Sequence, residues 1–150
     1  MGATHFSGPV VSGDLQTGET YGPNQGFAVL SQSTSITQNS TTAVSSTLYI
    51  PAGARIVDFY INVLTAYDSA TSATLTIGTA AAGTQYVGSI DAKTAGRAAI
   101  TYSAAQLAAM NGVTVTGTAA ATTPPVVVTV TPVGATSAGY VVVTVLYVQQ

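Results

Sequence analysis

The sequence predicts an all-β protein: an antiparallel β-sandwich of jelly-roll type, with one short helix and an extended N-terminal arm. Three observations predict it. Eight or nine short stretches of strand character recur at spacings of about 10 to 15 residues with turn residues between them, which is the rhythm of a sandwich. A single stretch, Ser103-Ala104-Ala105-Gln106, carries helix-start signals. The last stretch, Tyr140 to Val148, is apolar on both faces of a strand, with Val141, Val143, Val145 and Tyr147 on one and Tyr140, Val142, Leu146 and Val148 on the other. A strand of that kind needs cover on both sides.

Taken in order, residues 1–26 hold Gly2, Gly8, Gly13, Gly18, Gly22 and Gly26 with Pro9 and Pro23, and show no sustained period. Glycine and proline at that density break regular structure, so this segment reads as the arm and residues 27–150 as one sandwich domain. The arm still carries Phe6, Val10, Val11 and Leu15. A strand-like arm that leaves its own domain to bind a neighbour would use such residues; a loop packed on its own sandwich is the alternative.

Strand character begins with Phe27 to Gln38 and returns at Val44 to Ile50, across the polar loop Gln38-Asn39-Ser40-Thr41-Thr42. Asn39-Ser40-Thr41 fits the glycosylation triplet, an accident of composition in a chain without a secretion signal. Pro51-Ala52-Gly53-Ala54 is a turn. Arg55 to Thr65 then alternates cleanly: Val57, Phe59, Ile61 and Val63 are expected in the core, with Asp58, Tyr60 and Asn62 toward solvent. After the loop at Tyr67-Asp68-Ser69, Leu75 and Ile77 mark a strand ended by Gly78. Gln85 to Ile90 gives another, and Ala98 to Tyr102 a short one.

Ser103 and Gln106 have the capping-box spacing, in which each side chain satisfies an orphan amide at the helix start. Leu107 and Met110 would face inward, and Asn111-Gly112 would stop the helix. Val113 to Val115 and Val126 to Thr131 complete the strands before the final one. Pro124, Pro125 and Pro132 around Val126 to Thr131 suggest a sheet edge.

Hydrophobic residues make up 47% of the 150 and charged residues 5%, where about 25% charged is usual. The hydrophobic content is that of a folded protein and excludes intrinsic disorder. Arg55, Lys93 and Arg97 stand against Asp14, Glu19, Asp58, Asp68 and Asp91, for a net charge of -2. No basic stripe is present to neutralise phosphates, so nucleic acid is not an expected partner. So little charge makes a surface easy to desolvate, which suits a component packed permanently against neighbours.

The chain has no cysteine, which removes disulfides and thiolate metal sites from consideration. Met1 to Phe6 lacks the regions of a signal peptide, Phe6 stands where myristoylation wants Ser or Thr, and no apolar run approaches the roughly 20 residues of a membrane helix. A soluble product made in the cytoplasm, with no membrane partner, is expected.

Catalytic chemistry finds little to stand on. His5 is the single histidine and lies in the arm, a poor place for a rigidly held base. The carboxylates are scattered; a glycosidase pair would have to come from groups such as Asp58 and Asp68 meeting in space. No clustered Asp and Asn suggest calcium, and Gly78 and Gly83 lack the lysine of a phosphate loop. The expectation is a non-enzyme with no cofactor and no metal. Tyr60 and Tyr67 could line a sugar platform, but tyrosine is also an ordinary half-buried strand residue.

Ile50-Pro51-Ala52-Gly53-Ala54-Arg55-Ile56-Val57, Thr74-Leu75-Thr76-Ile77-Gly78-Thr79 and Thr94-Ala95-Gly96-Arg97 together resemble a recurring pattern in small virion proteins of tailed bacteriophages, as does the opening Phe6-Ser7-Gly8-Pro9-Val10. The resemblance covers about a third of the chain. It implies a head decoration, or cement, protein: a β-sandwich homotrimer on the capsid exterior that bridges subunits of the major capsid protein. On that reading Phe6, Pro9, Val10, Val11 and Leu15 form the capsid-binding arm and Val142, Leu146 and Val148 the subunit interface; cover of that face by the chain's own helix and arm is the other possibility. A fibre or tail module binding a host receptor or carbohydrate is the alternative.

Overall fold

The strands pair as one long ribbon folded back on itself. In a computed structural model that describes residues 28–38, 40–51, 54–111 and 125–149, β1 (Val29–Thr37) pairs with β8 (Tyr140–Gln149), and β2 (Val44–Leu48) with β7 (Val126–Val133). Likewise β3 (Ala54–Thr65) pairs with β6 (Gly96–Arg97), and β4 (Ser72–Gly78) with β5 (Val87–Asp91). Rolling that ribbon around a core distributes the strands into two antiparallel four-stranded sheets, β1-β8-β3-β6 and β2-β7-β4-β5. This is the jelly-roll arrangement the spacing predicts. The arm residues, His5, Asn39, Gly112 and the expected strand Val113 to Val115 lie outside the described residues.

The core is filled by the inner faces of both sheets: Ile56, Phe59, Ile61 and Val63 from β3, Leu75 and Ile77 from β4, Val126, Val128 and Val130 from β7, Val141, Val143 and Val145 from β8. Burying each such side chain stabilises the fold by about 1.5 to 3 kcal/mol. Phe59 and Tyr86 pack ring to ring, with centroids 6.0 Å apart.

Four expectations are corrected. Val57 does not join the core but is 44% exposed, and Ile56 is buried in its place. The pairing of β3 with β8 shifts between Ile56 and Asp58, so a bulge at Val57 reverses the alternation from that point. Strand β7 is not an edge, since it sits between β2 and β4. Its prolines are tolerated because Pro125 precedes the strand and pairing with β2 ends at Val130, before Pro132, leaving that ring with a neighbour on one side alone.

Ala98 to Tyr102 is not a strand. Gly96 sits at φ +120°, β6 ends at Arg97, and after Ala98 N donates to Ile61 O at 3.0 Å the chain leaves the sheet. Helix α1 (Ala104–Asn111) starts with the expected box: Gln106 N donates to Ser103 Oγ at 3.2 Å and Ser103 N to Gln106 Oε1 at 2.8 Å. Met110 enters the core, but Leu107 is 47% exposed. Over eight residues the helix presents a narrow inward face, which Met110 takes with help from half-buried Ala109.

Strand β7 is buried on both faces, and its outer face is covered by the chain itself. The turn at Ala80–Gly83, closed by Gly83 N donating to Ala80 O at 3.0 Å, folds over the sheet. Ala82 N then donates to Thr129 Oγ1 at 2.9 Å, and Ser45 Oγ shares a 2.8 Å bond with the same hydroxyl.

Candidate assembly interface

The outer face of β8 is treated differently. Val141, Val143, Val145 and Tyr147 point into the sandwich as expected, while Val142 and Leu146 are half-buried on the other side. Val148 is 5% exposed yet stands apart from the core cluster. The register fixes their surroundings. Val142 lies between Ser35 of β1 and Asn62 of β3, and Leu146 between Ser31 and Asp58. Between them Thr144 bonds Ser33 hydroxyl to hydroxyl at 2.7 Å. An apolar strip is thus bordered by small serines on one side and by the polar residues of β3 on the other. Helix α1 packs against β3 and gives Met110 to the core.

At the β3 border the strip meets a hollow of about 390 Å³ lined by Asp58, Phe59, Arg97, Ala98, Ala99, Ile100 and Tyr102. It opens where β6 stops short along β3. The Tyr102 hydroxyl donates to Asp58 Oδ1 at 2.6 Å, and Phe59 N donates to Asp58 Oδ1 at 2.8 Å and to the Tyr102 oxygen at 3.2 Å. Together they satisfy a strand amide that β6 is too short to reach. Burial, then the bond to Asp58, pushes the Tyr102 phenol well above the usual tyrosine range. On the rim, the Arg97 guanidinium lies over the Tyr60 ring, 3.9 Å from its centroid, a cation–π contact.

The remaining charged groups organise loops. Asp68 accepts from Ser137 N at 2.8 Å, Ala138 N at 3.0 Å and the Ser137 hydroxyl, and these bonds hold its carboxyl down to about 2. Asp91 accepts from Lys93 N at 3.0 Å and Thr94 Oγ1 at 2.8 Å, which lowers its carboxyl as well, while Lys93 Nζ donates to Ser69 O at 2.6 Å. Asp58 and Asp68 each have separate hydroxyl and amide partners, and among the described residues no group of three or more His, Cys, Asp or Glu could hold a metal ion. The paired sugar platform fails at Tyr67, which is 1% exposed. No helix among the described residues is long and apolar enough to cross a membrane.

Sequence reasoning singled out Val142 and Leu146 by their position on the last strand. It did not find the Asp58–Tyr102 bond or the Arg97–Tyr60 stack, because partners 44 and 37 residues apart meet only once β6 has folded onto β3. An arginine directly after Gly96, in the two-residue strand β6, was the available hint.

Among solved structures, the chain is similar to one in the capsid asymmetric unit of cyanophage Pam1. The likeness covers 93% of this chain and 99% of that one, with a TM-score of 0.60 and 21% identity. It establishes a common fold along nearly the whole of both chains. No protein-family model matches the chain, and no curated protein does.

Proposed function

We propose that this chain is a structural protein of a phage particle, and more specifically a head decoration protein that binds the capsid exterior as a homotrimer and bridges neighbouring shell subunits. The observation that carries the reading is the end-to-end likeness to a chain of the Pam1 capsid asymmetric unit. It is joined by the independent resemblance of the Ile50–Val57, Thr74–Thr79 and Thr94–Arg97 segments and by a surface nearly free of charge.

The mechanism is binding without turnover, and it asks for no enzyme activity, cofactor, nucleic acid or membrane. Phe6, Pro9, Val10, Val11 and Leu15 supply the grip on the major capsid protein. Val142 and Leu146, with Val148 farther along the same face of β8, supply the contact between copies. The contrast between β7 and β8 favours this division: β7 is covered on its outer face by the chain's own turn, whereas Val142 and Leu146 stay half-open. Several linked copies gripping one shell raise retention through effective concentration.

The test is to size the purified protein by light scattering and then mix it with expanded shells that lack it. Stoichiometric co-sedimentation and protection of the shells against heat are expected. A protein that leaves shells unbound and unprotected, yet binds host cells or glycans, would transfer the reading to a fibre or tail module.

A further inference from the structure

We infer that Asp58 of one copy pairs with Arg97 of a second copy across the outer face of the β1-β8-β3-β6 sheet. The inference rests on the reading above that this face joins copies of the chain, and it names the charges that fix how they join. The sequence spends just eight Asp, Glu, Lys and Arg residues on 150 positions. Three of them, Arg55, Asp58 and Arg97, fall on this face, around the apolar strip of Val142 and Leu146. Lys93, Asp68 and Asp91 are all committed to loop backbone and hydroxyl groups.

Asp58 and Arg97 line the same hollow, but each is engaged with something other than the opposite charge. Asp58 takes both of its bonds, from Tyr102 and Phe59, on Oδ1, and among the described residues no bond uses Oδ2. Arg97 is laid over Tyr60 and is exposed, and a guanidinium stacked on a ring keeps its N–H donors in the plane of the stack, free to meet a carboxylate edge-on. One carboxylate, half-buried, and one guanidinium, exposed, thus line a single hollow next to an apolar strip. A second copy offers the complementary set. Whether copies meet about a two-fold axis or around a ring, each contributes one carboxylate and one guanidinium, so every pair closes. The surround is Ser- and Thr-rich, and Arg55 is the further charge that the described residues place on this face.

The experiment is a double-mutant cycle on the full chain, read by sedimentation equilibrium, with circular dichroism to confirm folding. Asp58→Asn keeps an Oδ1 for Tyr102 and Phe59 while removing the charge, and Arg97→Gln removes its partner. Each single variant is expected to weaken self-association about tenfold at low salt, and the double variant by no more than about twofold beyond either. Arg55→Gln combined with Asp58→Asn should show no such coupling. Additive losses for Asp58→Asn and Arg97→Gln overturn the pairing. So does unchanged self-association in both single variants, including a case in which they weaken shell binding alone; the subunit contact would then stand without this pair. A wild-type chain that stays monomeric at every concentration overturns the contact and the pairing together.

Discussion

The Tyr67 ring lies so close against the backbone of Gly139 that a Cβ at position 139 would come 2.6 Å from Tyr67 Cε1. This contact joins the ends of three strands. The Tyr67 hydroxyl donates to Ile36 O at 3.0 Å, Gln38 N donates to Gly139 O at 2.9 Å, and Asp68 N donates to Ala138 O at 3.2 Å. Gly139→Ala must push the ring or the strand start aside. Overpacking of that kind costs about 1 to 3 kcal/mol, a fall in Tm of roughly 3 to 10 °C for a chain of this size. Gly88→Ala is the control, since its Cβ would meet Gln106 Nε2 at an ordinary 3.5 Å. Equal Tm values for the two variants would contradict the packing described for Tyr67.

Alkaline unfolding should be steep and should begin near the ordinary tyrosine pKa. Burial pushes Tyr67 from 10.0 up to about 12 and also raises Tyr86, while burial and the Asp58 bond raise Tyr102. The folded chain therefore holds these protons more tightly than the unfolded one. Their contribution to stability is intact below pH 10 and is lost as pH rises toward 12 and beyond. Phenolate absorbance of these three residues should appear together with the loss of β-sheet circular dichroism. Ionisation well before unfolding would show that they are open to solvent.

Acid should act late on the loop between β7 and β8. Bonds from Ser137 and Ala138 hold Asp68 at about 2, below its ordinary 3.8. What the carboxylate contributes is present above the ordinary value and fades as pH falls toward 2. In an NMR titration Asp68 is expected to protonate near pH 2, and Asp68→Ala should speed amide exchange at Ser137 and Ala138 with little change elsewhere. Titration near 3.8 would mean that the clasp does not persist in solution.

Ala82 occupies the third position of the Ala80–Gly83 turn with φ at +58°. That region disfavours any residue with a Cβ by about 1 kcal/mol, and a type II turn places glycine there. Ala82→Gly should therefore leave Tm unchanged or raise it by a few degrees, against the loss usual for Ala→Gly. A clear fall in Tm would place the backbone in an ordinary conformation.

What the sequence makes legible follows from how local each signal is. Turn residues and alternation reveal the strands at Val44–Leu48, Ser72–Gly78 and Tyr140–Gln149, and the Ser103–Gln106 box reveals the helix start, because each depends on neighbours a few residues away. Val57 is misread because the bulge that reverses its face is set by pairing with β8, some 90 residues on. Pro132 misleads for a similar reason: β2 is short, and its end cannot be seen from β7. The interface residues divide in the same way. Val142 and Leu146 are visible as surplus apolar positions on a strand, whereas Asp58, Arg97 and Tyr102 become a group only through the β3–β6 pairing and the bonds that follow it.

The half-buried state of Val142 and Leu146 sets a direct test of the subunit contact. Both lie on the outer face of β8, flanked by Ser35 and Asn62 and by Ser31 and Asp58, so a long charged side chain at either site has a path to water without entering the core. Lysines at both positions in every copy would bring like charges together wherever these faces meet. Val142→Lys with Leu146→Lys should thus yield a monomer in light scattering whose circular dichroism matches the parent chain and whose Tm in dilute solution falls by no more than a few degrees. Val143→Lys is the contrasting change. Its side chain is 1% exposed between the sheets, and a lysine there should abolish the cooperative transition. If the outer-face pair unfolds the chain as Val143→Lys does, Val142 and Leu146 belong to the interior of the subunit; if it leaves a stable oligomer, copies join through another face.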